Sequence, residues 1–135
     1  VVPAEVETAL PSDLLIALTE GGHIHSPLAR AAVATGRELG TSTVAWAEFH
    51  SKPVSEVDHL ALTLALAGGI APFATAEAEL AGQLYQLPGV TRAQRLDSMI
   101  AATAILAGAE LATANWEDFE PFVALGLRLW KRVSA

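Results

Sequence analysis

The stretch from Arg95 to Phe119, RLDSMIAATAILAGAELATANWEDF, joins a buried-helix pattern, a short-strand pattern and spaced polar groups in one run of chain. From Met99 to Ala109 only Thr103 and Gly108 interrupt the apolar residues. A helix that is apolar all round packs into a core, here against a sheet, rather than lying on a surface. Gly108 supplies the left-handed residue that ends such a helix, and Leu111, Ala112, Thr113 and Ala114 then read as a short buried strand. Asp97 falls near the start of the helix, while Asn115 and Asp118 fall just past the strand, where parallel α/β sheets hold their ligands. Polar chemistry is thereby gathered at one edge.

The other segments repeat this alternation. Val1 to Leu10 is a weak strand with Val6 and Leu10 as its apolar points, closed by Pro11, and Ser12 or Asp13 can cap the following LLIALTEGG helix. Ser26-Pro27 opens a helix that the pattern carries through LARAAVATGREL to a stop at Gly40. Thr41 to Val44 reads as a strand, and VAWAEFHSK as a helix carrying Glu48 and closed by Pro53. Ser55 and Asp58 have capping-box spacing before VDHLALTLALA, which ends at Gly68-Gly69. Ile70 to Phe73 reads as a strand, Thr75 caps AEAELAGQLYQL, Thr91 opens the organising helix, and Leu127, Leu129 and Trp130 form a last strand blunted by Lys131 and Arg132. The sum is an α/β fold, a three-layer α/β/α sandwich with a mainly parallel central sheet joined by right-handed crossovers.

A chain of 135 residues, 52% of them hydrophobic, suits a single domain spanning 1–135. It has no cysteine, which removes disulfides and thiolate metal sites and favours a reducing cytoplasm. Its longest uncharged run, the 17 residues Leu60 to Ala76, is broken by Gly68, Gly69 and Pro72, so no membrane association is expected. Glu5 and Glu7 occupy positions where a secretory signal would need basic and then apolar residues. A net charge of −7 argues against a broad phosphate-binding face, so any nucleic-acid contact must be local, with Arg92 and Arg95 nearest in sequence to the polar edge. His23 and His25 form an H-x-H pair without an evident third ligand, expected to lie in a solvated turn.

With these residues in place, the chain resembles the PIN domain family, in particular the VapC-like toxins of bacterial toxin–antitoxin pairs, over nearly its whole length. STVAWAEF is similar to the family's segment bearing a glutamate, which puts Glu48 in that role. RLDSMIAATAILAGAELATANWEDF is similar to its most characteristic segment, with Asp97 as the helix aspartate, Asn115 18 residues later, and Asp118 ahead of Phe119. The family's first motif, an aspartate closing the first strand, meets a departure in LPSDLLIAL: Pro11 stands at that position and Asp13 follows two residues on. Side chains two apart on a strand share a face about 6.6 Å apart, so Asp13 can point to the same pocket if the strand extends that far. As a favoured N-cap residue it can instead cap the helix.

The resemblance implies a ribonuclease that hydrolyses RNA phosphodiester bonds with Mg²⁺ or Mn²⁺, a cognate antitoxin as partner, and a homodimer. Glu48, Asp97, Asp118 and Asp13 would hold or orient the metal, and Asn115 would orient a water or phosphate oxygen without adding charge. Thr113 and Ser12 would add hydrogen bonds nearby. Converging carboxylates repel one another unless a cation neutralises them, and oxygen-only ligands suit those two ions. Two alternatives remain open at this stage: a PIN-fold binding protein whose catalysis was lost with the first aspartate, and a DNA-acting PIN nuclease.

Overall fold

A computed structural model describes residues 6–130. Five strands form one sheet: β1 (Thr8–Ala9), β2 (Leu39–Ser42), β3 (Gly69–Ala71), β4 (Glu110–Leu111) and β5 (Arg128–Leu129). They are ordered β3-β2-β1-β4-β5, and every adjacent pair is parallel. Between them run α1 (Ser12–Thr19), α2 (Ser26–Ala34), α3 (Thr43–Phe49), α4 (Glu56–Ala65), α5 (Thr75–Tyr85), α6 (Arg95–Ala107) and α7 (Trp116–Phe119). Short 3-10 segments cover Arg92–Gln94 and Glu120–Leu125.

α1 packs against α2, α3 and α4, and α6 packs against α5, α7 and α3; helices flank the parallel sheet in the expected three-layer α/β architecture. The Arg95–Phe119 stretch behaves as its pattern requires. Ala101, Ala102, Thr103 and Ala104 are buried, and these small side chains let α6 lie close to the strands. Leu14 and Leu15 of α1, Leu84 of α5, Leu111 and Phe122 complete the core. Each large aliphatic side chain so buried contributes roughly 1.5–3 kcal/mol. Gly108 ends α6 in the left-handed conformation at φ 69°.

The chain runs outward from β1 through β2 to β3, then returns across the sheet to β4, so the strand order reverses between β1 and β4. In open parallel sheets the crevice at the carboxyl ends of such a strand pair is where ligands bind. Both strands end there in polar residues: Ser12 and Asp13 follow β1, and Asn115 and Asp118 follow β4. Because α6 runs opposite to β4, its first turn, with Asp97, returns to that same edge.

Several boundaries differ from the sequence expectation. The helix opened by Ser26-Pro27 stops at Ala34, and the chain turns at Gly36 with φ 74°. Gly40 is thus not a helix stop but part of β2, where a Cβ would lie 2.5 Å from a Val6 methyl and 2.7 Å from the Gly69 carbonyl oxygen. Close packing of the Val6 side chain and the Gly69 backbone against β2, rather than a turn, requires that glycine. Thr43 and Val44 belong to α3 and not to a strand, because the Ser42 hydroxyl accepts the Ala45 N–H at 3.0 Å and starts the helix there. Thr75 lies inside the first turn of α5 instead of capping it; the Glu77 carboxylate accepts the Ala74 N–H at 3.0 Å. The fourth strand starts at Glu110, earlier than its apolar run suggests. The expectations for residues 1–5, Lys131 and Arg132 lie outside the described residues.

Candidate active site

Each acidic side chain reaches the carboxyl edge by a different local device. After β1 the Leu10 N–H donates to the Gly40 carbonyl and the Thr41 hydroxyl donates to the Leu10 carbonyl at 2.6 Å, which anchors the chain just ahead of Pro11. Pro11, at φ −75° and ψ 171°, then ends the strand and stands at the N-cap of α1. Ser12 and Asp13 are therefore the first two residues of the helix, and neither caps it through its side chain. The continuing strand that would have carried Asp13 to the pocket is absent. Asp13 reaches the acidic cluster from the first helical turn instead.

That position is a constrained one. Asp13 Oδ1 accepts the Leu14 N–H at 3.0 Å, while Oδ2 is buried with no hydrogen-bond partner. Burial raises the Asp13 carboxyl above its ordinary value, opposed by the nearby His25, the Leu14 and Asp13 N–H groups and His23. Glu48, on α3, is raised chiefly by burial; its link to Ser12 lowers it and Asp13 raises it again. The Ser12 hydroxyl donates to Glu48 Oε1 at 3.4 Å, a long contact that ties the start of α1 to α3.

Asp97, in the first turn of α6, is pushed up to about 6, first by burial and then by the charges of Asp118, Glu48 and Asp13. Three carboxylates, from α1, α3 and the short α7, thus act on Asp97 in α6, although the four residues are spread from position 13 to position 118. Among the described residues, no three His, Asp or Glu side chains are drawn together tightly enough to form a ready coordination shell. The donors are all oxygen, the type a hard divalent cation takes, and the Asp13 Oδ2 among them is unpartnered.

Beyond β4, the Thr113 hydroxyl accepts the Asn115 N–H at 3.0 Å and bends the chain into α7. Asn115 stands at the N-cap of α7 but does not cap it with its side chain, which is left exposed. Its carbonyl accepts the Asp118 N–H at 3.1 Å. The segment from Ala114 to Asp118 lines an open polar hollow of about 450 Å³.

Two features were not foreseen as parts of the site. Gln94, 8% exposed, donates from Nε2 to the Asp118 carbonyl at 2.9 Å and accepts the Thr91 N–H on Oε1 at 2.8 Å. The signal available was the Thr91–Gln94 spacing of a capping box, which speaks of a helix start and not of the contact to Asp118. The His23–His25 pair was expected in a solvated turn, yet both rings are half-buried, 5.3 Å apart, and their charge bears on Asp13. Arg95, by contrast, lies with its guanidinium over the Tyr85 ring, 5.1 Å from the centroid, and so is engaged on the α5 side.

An all-parallel five-stranded sheet with acidic residues converging at its topological switch point defines the class: an α/β protein with a candidate acidic active site. Solved structures that share the fold include a toxin–antitoxin complex from Klebsiella pneumoniae, at 24% identity and TM-score 0.65 over 84% of this chain and 90% of that one. VapBC2 from Rickettsia felis bound to a promoter DNA fragment is similar at 19% identity and TM-score 0.66, over 93% and 100% of the two chains. FitAcB from Neisseria gonorrhoeae is similar at 17% and 0.66, over 92% and 96%. A search of curated proteins finds no match. The PIN domain profile matches residues 12–121, and the chain belongs to the PIN domain family.

Proposed function

We propose that this protein is a metal-dependent endoribonuclease of the toxin type, using Mg²⁺ or Mn²⁺ to hydrolyse RNA phosphodiester bonds. The observation that carries this reading is the electrostatic state of Asp97, raised to about 6 first by burial and then by the charges of Asp118, Glu48 and Asp13. Such mutual repulsion is relieved by a cation and is otherwise a standing cost to the fold. Glu48, Asp97, Asp118 and Asp13 would hold the metal, which when bound supplies an acidified water and a counter-charge for the phosphate.

The chain's own residues position the reactants. Ser12 orients Glu48, Gln94 holds the segment of Asp118, and Asn115 presents a neutral amide to a water or a phosphate oxygen without adding to the repulsion. The similar folds come from toxin–antitoxin proteins, which supports a small antitoxin as partner for this chain. We place it as a homodimer in the cytoplasm, consistent with the absence of cysteine. Among the described residues no helix is long and apolar enough to cross a membrane.

The test is cleavage of single-stranded RNA by the full chain with Mn²⁺, beside Asp97→Asn and beside matched DNA. Cleavage of RNA by the wild type, lowered at least about 100-fold in the variant, is the expected result. Preferential cleavage of the DNA would move the reading to a DNA-acting nuclease. One observation favours a second reading, a PIN-fold binding protein without catalysis: Pro11 stands where the first-motif aspartate is expected. Calorimetric titration with Mn²⁺ beside Pro11→Asp separates the two, since binding confined to the variant would mark the natural site as disabled.

A further inference from the structure

We infer that His23 and Lys52 form a phosphate-gripping wall of the substrate groove, holding a phosphate of the bound RNA strand next to the one that is cleaved. This rests on the proposed ribonuclease reading and specifies where the rest of the strand lies.

A cavity of about 390 Å³ has Glu48 on its wall. Two loops border it: the α1–α2 connection with His23, and the α3–α4 connection with Ser51 and Lys52. The Ser51 hydroxyl donates to the Glu48 carbonyl at 2.6 Å, so the loop bearing Lys52 is tied directly to the turn of helix bearing Glu48. Among the described residues Lys52 makes no ion pair, and its side chain is exposed.

His23 is oriented by its own loop. Its Nδ1 accepts the His25 N–H at 3.1 Å, which requires the ring's proton on Nε2 and leaves that edge as a donor even when the ring is neutral. Half-buried against His25, the ring is held rather than free in solvent.

The charge of the whole chain makes these two residues matter. At −7 the protein repels a polyanion, and Glu20, Glu48 and Asp58 on the same cavity repel it locally. Among the residues lining this cavity Lys52 supplies a positive charge and His23 a ring N–H donor, one from each bordering loop, and these are groups that a phosphate entering it can bind. Arg95 is engaged with Tyr85 and does not serve here.

The experiment measures steady-state cleavage of a short single-stranded RNA with Mn²⁺, and equilibrium binding of the same RNA in Ca²⁺ across a salt series, for the full chain, Lys52→Ala, Lys52→Arg and His23→Ala. The expected result is a KM raised about tenfold by either alanine with kcat within about twofold. The slope of log affinity against log salt should fall by about 0.7 in Lys52→Ala and recover in Lys52→Arg. Unchanged KM and salt slope in variants of a wild type that cleaves RNA would overturn this inference and leave the ribonuclease reading intact. A wild type that neither binds nor cleaves RNA would overturn that reading first, and the groove assignment with it. Should His23→Ala fail to fold, the Lys52 pair decides alone, since that side chain is exposed and its loss leaves the core untouched.

Discussion

The Gln94 side-chain amide donates to the Asp118 backbone carbonyl at 2.9 Å, joining the entry to α6 to the acidic segment beyond β4. These residues are 24 apart in sequence, and the bond sets the chain carrying Asp118 against the helix carrying Asp97. Because Gln94 is buried and uses both ends of its amide, a side chain without an amide leaves the Thr91 N–H and the Asp118 carbonyl unpaired.

Gln94→Leu should therefore destabilise the fold by about 1–3 kcal/mol through lost hydrogen bonds. It should also lower RNA cleavage about 10- to 100-fold, as loss of groups that orient metal ligands does. Chemical denaturation and single-turnover kinetics measure the two effects separately. An activity at the wild-type level would show that Asp118 needs no such support.

Asp97 makes stability depend on pH with a definite sign. Its folded value of about 6 lies above the ordinary 3.8 taken for the unfolded chain, so between those limits the folded state binds more protons. Stability then falls as pH rises through that window, and above it the ionised group is a net cost. Asp97→Asn should flatten this dependence and raise the melting temperature at pH 7.5 by a few degrees. A lower melting temperature across the whole range would contradict the repulsion described here.

Divalent ions should act in the opposite direction. Mn²⁺ at pH 7.5 should raise the melting temperature of the wild type, and the effect should shrink near pH 5, where protons compete for the same oxygens. Removing metal with a chelator should abolish cleavage without unfolding the chain. Circular dichroism melts with and without chelator check both statements.

Asp13→Asn tests whether the substitute for the first-motif aspartate matters. The amide keeps the volume and an oxygen acceptor for the Leu14 N–H, but loses the charge and the second carboxylate oxygen. Mn²⁺ affinity should fall about 10-fold or more if Asp13 contributes to the site, as measured by calorimetry. Equal affinity would restrict Asp13 to the start of α1.

Gly40→Ala should cost about 1–3 kcal/mol, since an added methyl overlaps Val6 and the Gly69 carbonyl where β2 passes between its neighbours. Gly69 is backbone at that contact and cannot swing aside. Equilibrium denaturation measures the loss, and a change below about 0.5 kcal/mol would mean that the strands separate easily.

Much of this architecture is legible in the residues themselves. The uniformly apolar run before Gly108, the small residues of α6 and the alternation of helix and strand patterns dictate an α/β sandwich, because apolar surface on all sides of a helix must be buried. Glu48, Asp97, Asn115 and Asp118 stand out by type and spacing, and the family resemblance attaches a chemistry to them. Less legible were the boundaries around Gly36 and Gly40. A glycine that breaks a helix and one that permits close packing look alike until the neighbouring strands are in place.

Which groups share the edge was decided only by the tertiary structure. Local pattern offered Asp13 as either a strand residue or a helix cap; the fold makes it neither, and places it with the cluster because Pro11 ends the strand and α1 begins at once. Gln94 acquired its position through a contact with a segment 24 residues away in the chain. Periodicity along a sequence reports which face of an element is buried. The electrostatic work of bringing like charges together depends on the distances between elements, and those distances exist only once the sheet is assembled.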